Sequence, residues 1–348
     1  MAVLSAADVF LANMERAESK AGAARLFAEG RALMERRQNA QAIERIKDAL
    51  AIERGNRDYL RTLAQAQFAA GQTADAEATL SELLQSDSTD GLANLIMGRA
   101  LVKEGRFAEA ASYYHRAIYG RWNANTRENR LRARFELVDL LAERNSKEEL
   151  LAELLPIQEE APHDLKTQIR IGRLFLQAGS PARAADVFRG ILRAGPPNAD
   201  AYAGLGQAEF ARANYRAAAR DFQAALRLAP DDLAARQRLD ACNELLALDP
   251  LLRGLGPAER FQRSLKLVEL TRNEAGPCLA QNPPADLQEL SNLADKALAA
   301  HVSAARQSEG SESNLDLAEQ LWQARRRECQ PPPATDTPLA LVMERLAQ

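Results

Sequence analysis

Three cysteines and three histidines are the residues of this chain best suited to nucleophilic or metal chemistry, and their spacing argues against both. No two of Cys242, Cys278 and Cys329 stand in a C-x2-C pair, the spacing from which zinc sites are usually built. His115, His163 and His301 are scattered, without a second histidine one helical turn away. Cys242 falls on an apolar helical stripe and reads as a small core residue. Cys278 and Cys329 each flank a helix end in a proline-rich stretch and bracket a two-helix unit. They are either the two halves of a disulfide, as in an exported protein, or two unrelated thiols in a reducing compartment. There is no G-x-S-x-G elbow, no G-x4-G-K-[ST] loop and no H-E-x-x-H helix. The acid pairs Glu148–Glu149 and Glu159–Glu160 read as solvated helix faces, and Arg325–Arg327 as a charged face near a helix C-terminus. The expectation is that the protein is not an enzyme and uses no cofactor or metal.

Composition points to helices. The chain is 46% hydrophobic but only 5% aromatic, so its apolar content is mostly alanine and leucine, both strong helix formers. A net charge of −3 supplies no overall field toward nucleic acid or an anionic surface. The sequence contains no apolar run long enough to span a membrane. The N-terminus lacks a basic segment followed by an apolar block and does not read as a signal peptide.

The stretch 199–232 carries the organising pattern. Tyr202, Leu205, Gly206, Phe210, Tyr215, Ala218, Phe222, Ala225, Leu226 and Pro230 fit two helices in close contact. Gly206 and Ala218 leave room between the axes, Phe222 and Leu226 fill it, and Pro230 stops the second helix. Stepping back from Gly206, the same position is held by Gly172, Val138, Gly98, Ala64 and Gly30, at intervals of 34, 34, 40, 34 and 34 residues. The small position of the second helix reads Ala42, Ala76, Ala110, Leu150, Ala184 and Ala218. The large apolar position four residues later reads Ile46, Leu80, Tyr114, Leu154, Phe188 and Phe222. Repeats therefore run at 23–56, 57–90, 91–124, 131–164, 165–198 and 199–232, with a capping helix at 233–248. The fourth is irregular. It has Val138 and Leu150 at the small positions, Pro156 inside its second helix, a capping box from Ser146 to Glu149, and a preceding loop within 122–129.

This pattern resembles the tetratricopeptide repeat, W-x2-L-G-x2-Y followed by A-x3-F and then P. One position of the 199–232 repeat departs, with Glu209 where the family has tyrosine. The resemblance covers residues 23–248 and implies an all-α, right-handed α-solenoid of six helix–turn–helix repeats. The expected domains are an N-terminal capping helix at 1–22, the array at 23–248 and a C-terminal helical region at 249–348. In that last region helices are expected at 258–272, 286–306, 314–328 and 338–347.

The resemblance further implies a non-enzymatic scaffold that binds a partner protein or peptide along the first helices of the repeats. Carried over by register, the groove residues are Arg31, Met34, Phe68, Arg99, Val102, Lys103, Lys166, Arg170, Arg173, Leu176 and Phe210. Arginines and lysines beside an apolar row suit a segment with acidic groups and a few apolar anchors. The alternative is an assembly component that self-associates through the array, its first helix entering a neighbour's groove. The aromatic and basic residues Tyr113, Tyr114, His115, Arg116, Tyr119, Arg121 and Trp122 either grip a ligand or are repeat core, with Trp122 as a packing wedge. Localisation follows the cysteines: cytoplasmic if Met1 is the natural start, exported or periplasmic if Cys278 and Cys329 are bridged and the start has been trimmed.

Overall fold

The computed structural model describes residues 2–280, 284–301, 303, 306–335 and 337–347, with side chains from residue 9 onward. Every named element among the described residues is an α-helix, and the only β feature is an isolated bridge between Asp90 and Arg121. No described helix is long and apolar enough to cross a membrane. The chain divides into two compact units, Met1–His163 with Gln177–Gly179, and Asp164–Leu176 with Ser180–Gln348.

The first unit holds α1 (Ala2–Glu35), α2 (Asn39–Ile52), α3 (Arg57–Ala69), α4 (Thr73–Ser86), α5 (Gly91–Lys103), α6 (Phe107–Tyr119), α7 (Thr126–Glu143) and α8 (Lys147–Glu160). The second holds α9 (Leu165–Gln177), α10 (Pro181–Ala194), α11 (Ala199–Ala211), α12 (Tyr215–Leu228), α13 (Leu233–Leu248), α14 (Pro257–Leu279), α15 (Ala285–Ala299), α16 (Gln307–Glu328) and α17 (Pro338–Leu346). Helix starts are fixed by short polar side chains. Asn56 accepts from the N–H groups of Asp58 and Tyr59, Asp90 from Ala93, Asn198 from Ala201 and Asp232 from Ala235.

In the four repeats with glycine at the small position, that position meets the large one. A Cβ added at Gly30 would stand 2.6 Å from Ile46, at Gly172 2.6 Å from Phe188, and at Gly206 2.9 Å from Phe222. Those partners are fully buried, so the ring or branch fills the space the missing side chain leaves. The turn between the two helices of a repeat has its own marker. Arg37, Gly71, Gly105, Asn145, Gly179 and Ala213 all have positive φ, at steps of 34, 34, 40, 34 and 34 residues. One αL residue at each helix end aims the chain back along the first helix. Three repeats supply glycine there; Ala213 and Arg37 hold the same conformation against the steric preference of an L-residue.

Several expectations need correction. The N-terminal capping helix expected at 1–22 and the first helix of repeat one are a single helix, because residues 18–24 contain no breaker strong enough to end it and Gly22 crowds nothing. The loop expected within 122–129 ends at Asn125. That residue takes the αL conformation, α7 starts at Thr126, and the extra residues lengthen α7 to 18 instead of forming a longer loop. Ser146 sits at the N-cap of α8 but its side chain makes no capping bond, and Pro156 does not shorten this helix, which has the 14 residues of α2 and α4. In the tail, 308–313 is not a link but the first turns of α16. Ser311 is buried there, and Asn314 donates to Ser264 Oγ of α14 at 3.1 Å. Small polar side chains let these two helices approach closely. Helix α14 also runs past the expected 272 to Leu279. Arg325 is no solvated face: it is buried, and its Nε donates to the Glu274 carbonyl at 3.0 Å.

Candidate functional site: the first-helix face

In the first unit α1, α3 and α5 lie side by side as the first helices of repeats one to three. Met34, Phe68 and Val102 occupy the same register position on them, and all three are half-buried. Lys103 is exposed and holds its Nζ 4.0 Å from the Phe68 ring centroid, a cation–π contact that keeps the ammonium beside the apolar row. Arg31 is exposed. Arg99 is turned to a neighbour: its Nε and Nη2 donate to the two carboxylate oxygens of Glu136 on α7, at 2.8 and 2.5 Å. This bidentate pair raises the guanidinium's pKa, through the hydrogen bond first and despite partial burial. Tyr114 beneath it is also pushed up, chiefly by burial and then by the Glu136 charge.

In the second unit Lys166, Arg170 and Arg173 are exposed on α9, with Leu176 half-buried beyond them. Arg173 donates to Asp200 on α11 at 2.7 Å. Phe210 is drawn into the interior contacts of this unit. Its ring meets Tyr215 edge-on at 5.3 Å, and Arg238 of α13 stacks over it at 5.4 Å.

The aromatic and basic residues of 113–122 divide. Tyr114 is core, Trp122 lies against Gly91 and donates its Nε1–H to the Ala117 carbonyl at 3.0 Å, and Arg121 pairs with Asp87 at 2.7 Å. Trp122 is thus the packing wedge, while Tyr119 remains 70% exposed. Cys278 and Cys329 are joined by a disulfide, with their Cα atoms 5.7 Å apart.

Sequence reasoning missed two charged clusters. Arg61 donates through two nitrogens to the buried Asp90, tying α3 to the N-cap of α5. Glu209, the residue that departs from the repeat pattern, is buried and ringed by Arg189, Arg212 and Asn214. The departure itself was the only signal for that cluster.

Tetratricopeptide-repeat family models match residues 33–100 and 169–232, the segments in which the turn residues and the small–large contacts recur. Both segments are tetratricopeptide repeats. Among solved structures, the chain is similar to the C-terminal part of a TPR repeat-containing protein from Cytophaga hutchinsonii, at 14% identity over 70% of this chain and 95% of that one, with a TM-score of 0.48. It is also similar to YrrB, described as a TPR protein with an unusual peptide-binding site, at 19% identity over 55% of this chain and 96% of that one, TM-score 0.46. A third is PilF of Pseudomonas aeruginosa, at 17% identity over 64% and 97%, TM-score 0.43. A search of curated proteins gives no match. Tetratricopeptide repeats are protein-interaction modules, so the coarse reading of this chain is a scaffold for protein partners.

Proposed function

We propose that the first-helix face of the repeats binds an extended or helical segment of a partner protein, and that the chain acts as a non-catalytic adaptor. The observation that supports this reading is the row of Met34, Phe68 and Val102. They are half-buried on adjacent helices, with Lys103 stacked on Phe68. Such a row offers apolar pockets to a partner's side chains with a cation at its edge for an acidic group. Arg99 is engaged with Glu136, and Arg173 of the second unit with Asp200, so the apolar row provides the main anchors. The Cys278–Cys329 bridge favours an oxidising compartment.

The test compares affinity capture by the full chain with capture by a Phe68→Ala/Val102→Ala variant. Loss of a desolvated anchor is expected to weaken a captured partner by about 2 kcal/mol or more. Equal capture by a variant that keeps its helical circular dichroism would remove the site from this face.

A second reading rests on α1. Val9, Phe10, Leu11 and Met14 are 60, 64, 53 and 45% exposed, an apolar patch suited to self-association. Sedimentation of the full chain against a chain lacking residues 1–22 separates the two readings. An oligomer that needs those residues supports assembly through α1, and an unchanged monomer rejects it.

A further inference from the structure

The second unit contains a feature that the first-helix face does not use. A cavity of about 420 Å³ opens between the start of α12, the 249–256 connection and α17. Arg216, Arg220, Arg253 and Arg345 line it, over apolar contributions from Tyr215 and Leu251, and no carboxylate does. One of the four is engaged: Arg345 pairs with the buried Asp249 at 2.6 Å. Arg216 makes only a long bond to the Arg253 carbonyl, at 3.4 Å. Among the described residues no ion pair engages Arg216, Arg220 or Arg253. Arg61, Arg99, Arg106, Arg173 and Arg189 of the repeats are, by contrast, each paired with an acid. The first turn of α12 adds to the positive field. Its N-cap residue Asn214 gives its side-chain amide to Glu209 at 2.7 Å and makes no capping bond.

Arg216, Arg220 and Arg253 form no ion pair among the described residues, and Asp221 acts on Arg220 only at a distance, so their mutual repulsion is incompletely offset and a bound anion would relieve it. We propose that this cavity is a second binding site, for an acidic peptide segment of a protein partner that carries an apolar side chain. Carboxylates of the segment would take the planar forks of Arg216, Arg220 and Arg253, which pair with them in two places. Leu251, 49% exposed at the rim, and Tyr215 would receive the apolar side chain. A long polyanion fits less well, because the chain as a whole carries a charge of −3 and would repel whatever extends beyond the cavity. The site is separate from the apolar row that carries the proposed first-helix site: its residues belong to the second unit, and Met34, Phe68 and Val102 to the first.

The experiment is fluorescence anisotropy of the full chain with a fluorescein-labelled peptide of alternating Glu-Glu and Leu units, at low salt. Saturable binding is expected, weakened more than about tenfold by the Arg220→Glu/Arg253→Glu variant and absent when glutamines replace the glutamates. Arg345 is left intact in that variant because it holds Asp249, and circular dichroism checks the fold. Three results would overturn the proposal. One is no binding to the wild-type chain, and another is equal binding by the double variant. The third is sensitivity to Phe68→Ala in place of the arginine changes, which would return the peptide to the first-helix face. Phosphatidylserine vesicles form a separate arm. Vesicle binding that depends on the arginines, with no peptide binding, would reassign the cavity to a membrane surface.

Discussion

Asp221 stands where the second unit bears its most evident electrostatic cost. Burial pushes its carboxyl up from 3.8 to about 6, the nearby Glu209 adds to the rise, and Arg220 and Arg189 pull the other way. The folded chain therefore holds this proton across a range in which the unfolded chain has released it. Stability contributed by Asp221 is then greatest below 3.8 and falls as pH rises through about 6. An Asp221→Asn variant is expected to be more stable than the parent at neutral pH, by ~1–2 kcal/mol after screening. It should also lose less stability between the two pH limits. Urea titrations at acidic and neutral pH measure both, and a variant less stable than the parent at neutral pH would mean that the arginines dominate the site. Glu209 differs from its neighbour: it is the more deeply buried of the two but is surrounded by Arg189, Arg212 and Asn214, which supply the donors a buried carboxylate needs.

At the scale of elements, the repeats were legible because two constraints reinforce each other in sequence. A small residue on the first helix must face a large one on the second, and Gly172–Phe188 and Gly206–Phe222 meet as their spacing requires. The capping helix expected at 233–248 coincides with α13 for the same reason, an apolar stripe ended by Asp249–Pro250. The tail was less legible. Its 308–313 segment is rich in serine and glycine, a composition that signals a link, yet burial of Ser311 and Asn314 against α14 makes it helix. Tertiary contact overrode local preference there. The αL turn residues were also hidden, since half of them are not glycine. Ala213 holds φ +58 at the turn where Gly71, Gly105 and Gly179 serve in other repeats. Ala213→Gly is accordingly expected to stabilise the chain by about 1 kcal/mol, the steric cost of a Cβ in αL less the added freedom of glycine in the unfolded state. A thermal melt that moves downward in this variant would show that the alanine methyl contributes contacts outweighing that strain.

At the scale of the whole molecule, the fold class followed from composition and period, and the register located the candidate face. The state of each charged group on that face did not follow, because pairs such as Arg99–Glu136 join residues 37 positions apart that no local pattern connects. Composition was equally silent on how residues 249–348 relate to the last repeat. The answer lies in one apolar core of the second unit. Leu245 and Leu248 of α13 share it with Leu267 and Val268 of α14, Leu321 and Trp322 of α16 and Met343 of α17, and Phe210 and Tyr215 pack against it. Arg345 of α17 pairs with Asp249 directly after α13, and the Cys278–Cys329 bond closes the far end of α14 onto the segment following α16. The tail thus covers the end of the array, the place where a stack of repeats would otherwise leave an apolar face to water. Removing residues 249–348 would expose Leu245 and Leu248, which are only 1 and 8% exposed in the full chain, at about 1.5–3 kcal/mol each, and would strip cover from Phe210 and Tyr215. A chain ending at Leu248 is therefore expected to melt several degrees below the full protein and to bind the hydrophobic dye ANS, which the intact chain should not. Changing Leu245 and Leu248 to glutamate in the shortened chain should reduce dye binding without restoring the melting temperature, because it removes part of the apolar face and not the missing contacts. If the shortened chain melts where the full protein does, the tail is a bundle that stands apart from the array, and the shared core around Leu248 contributes nothing measurable.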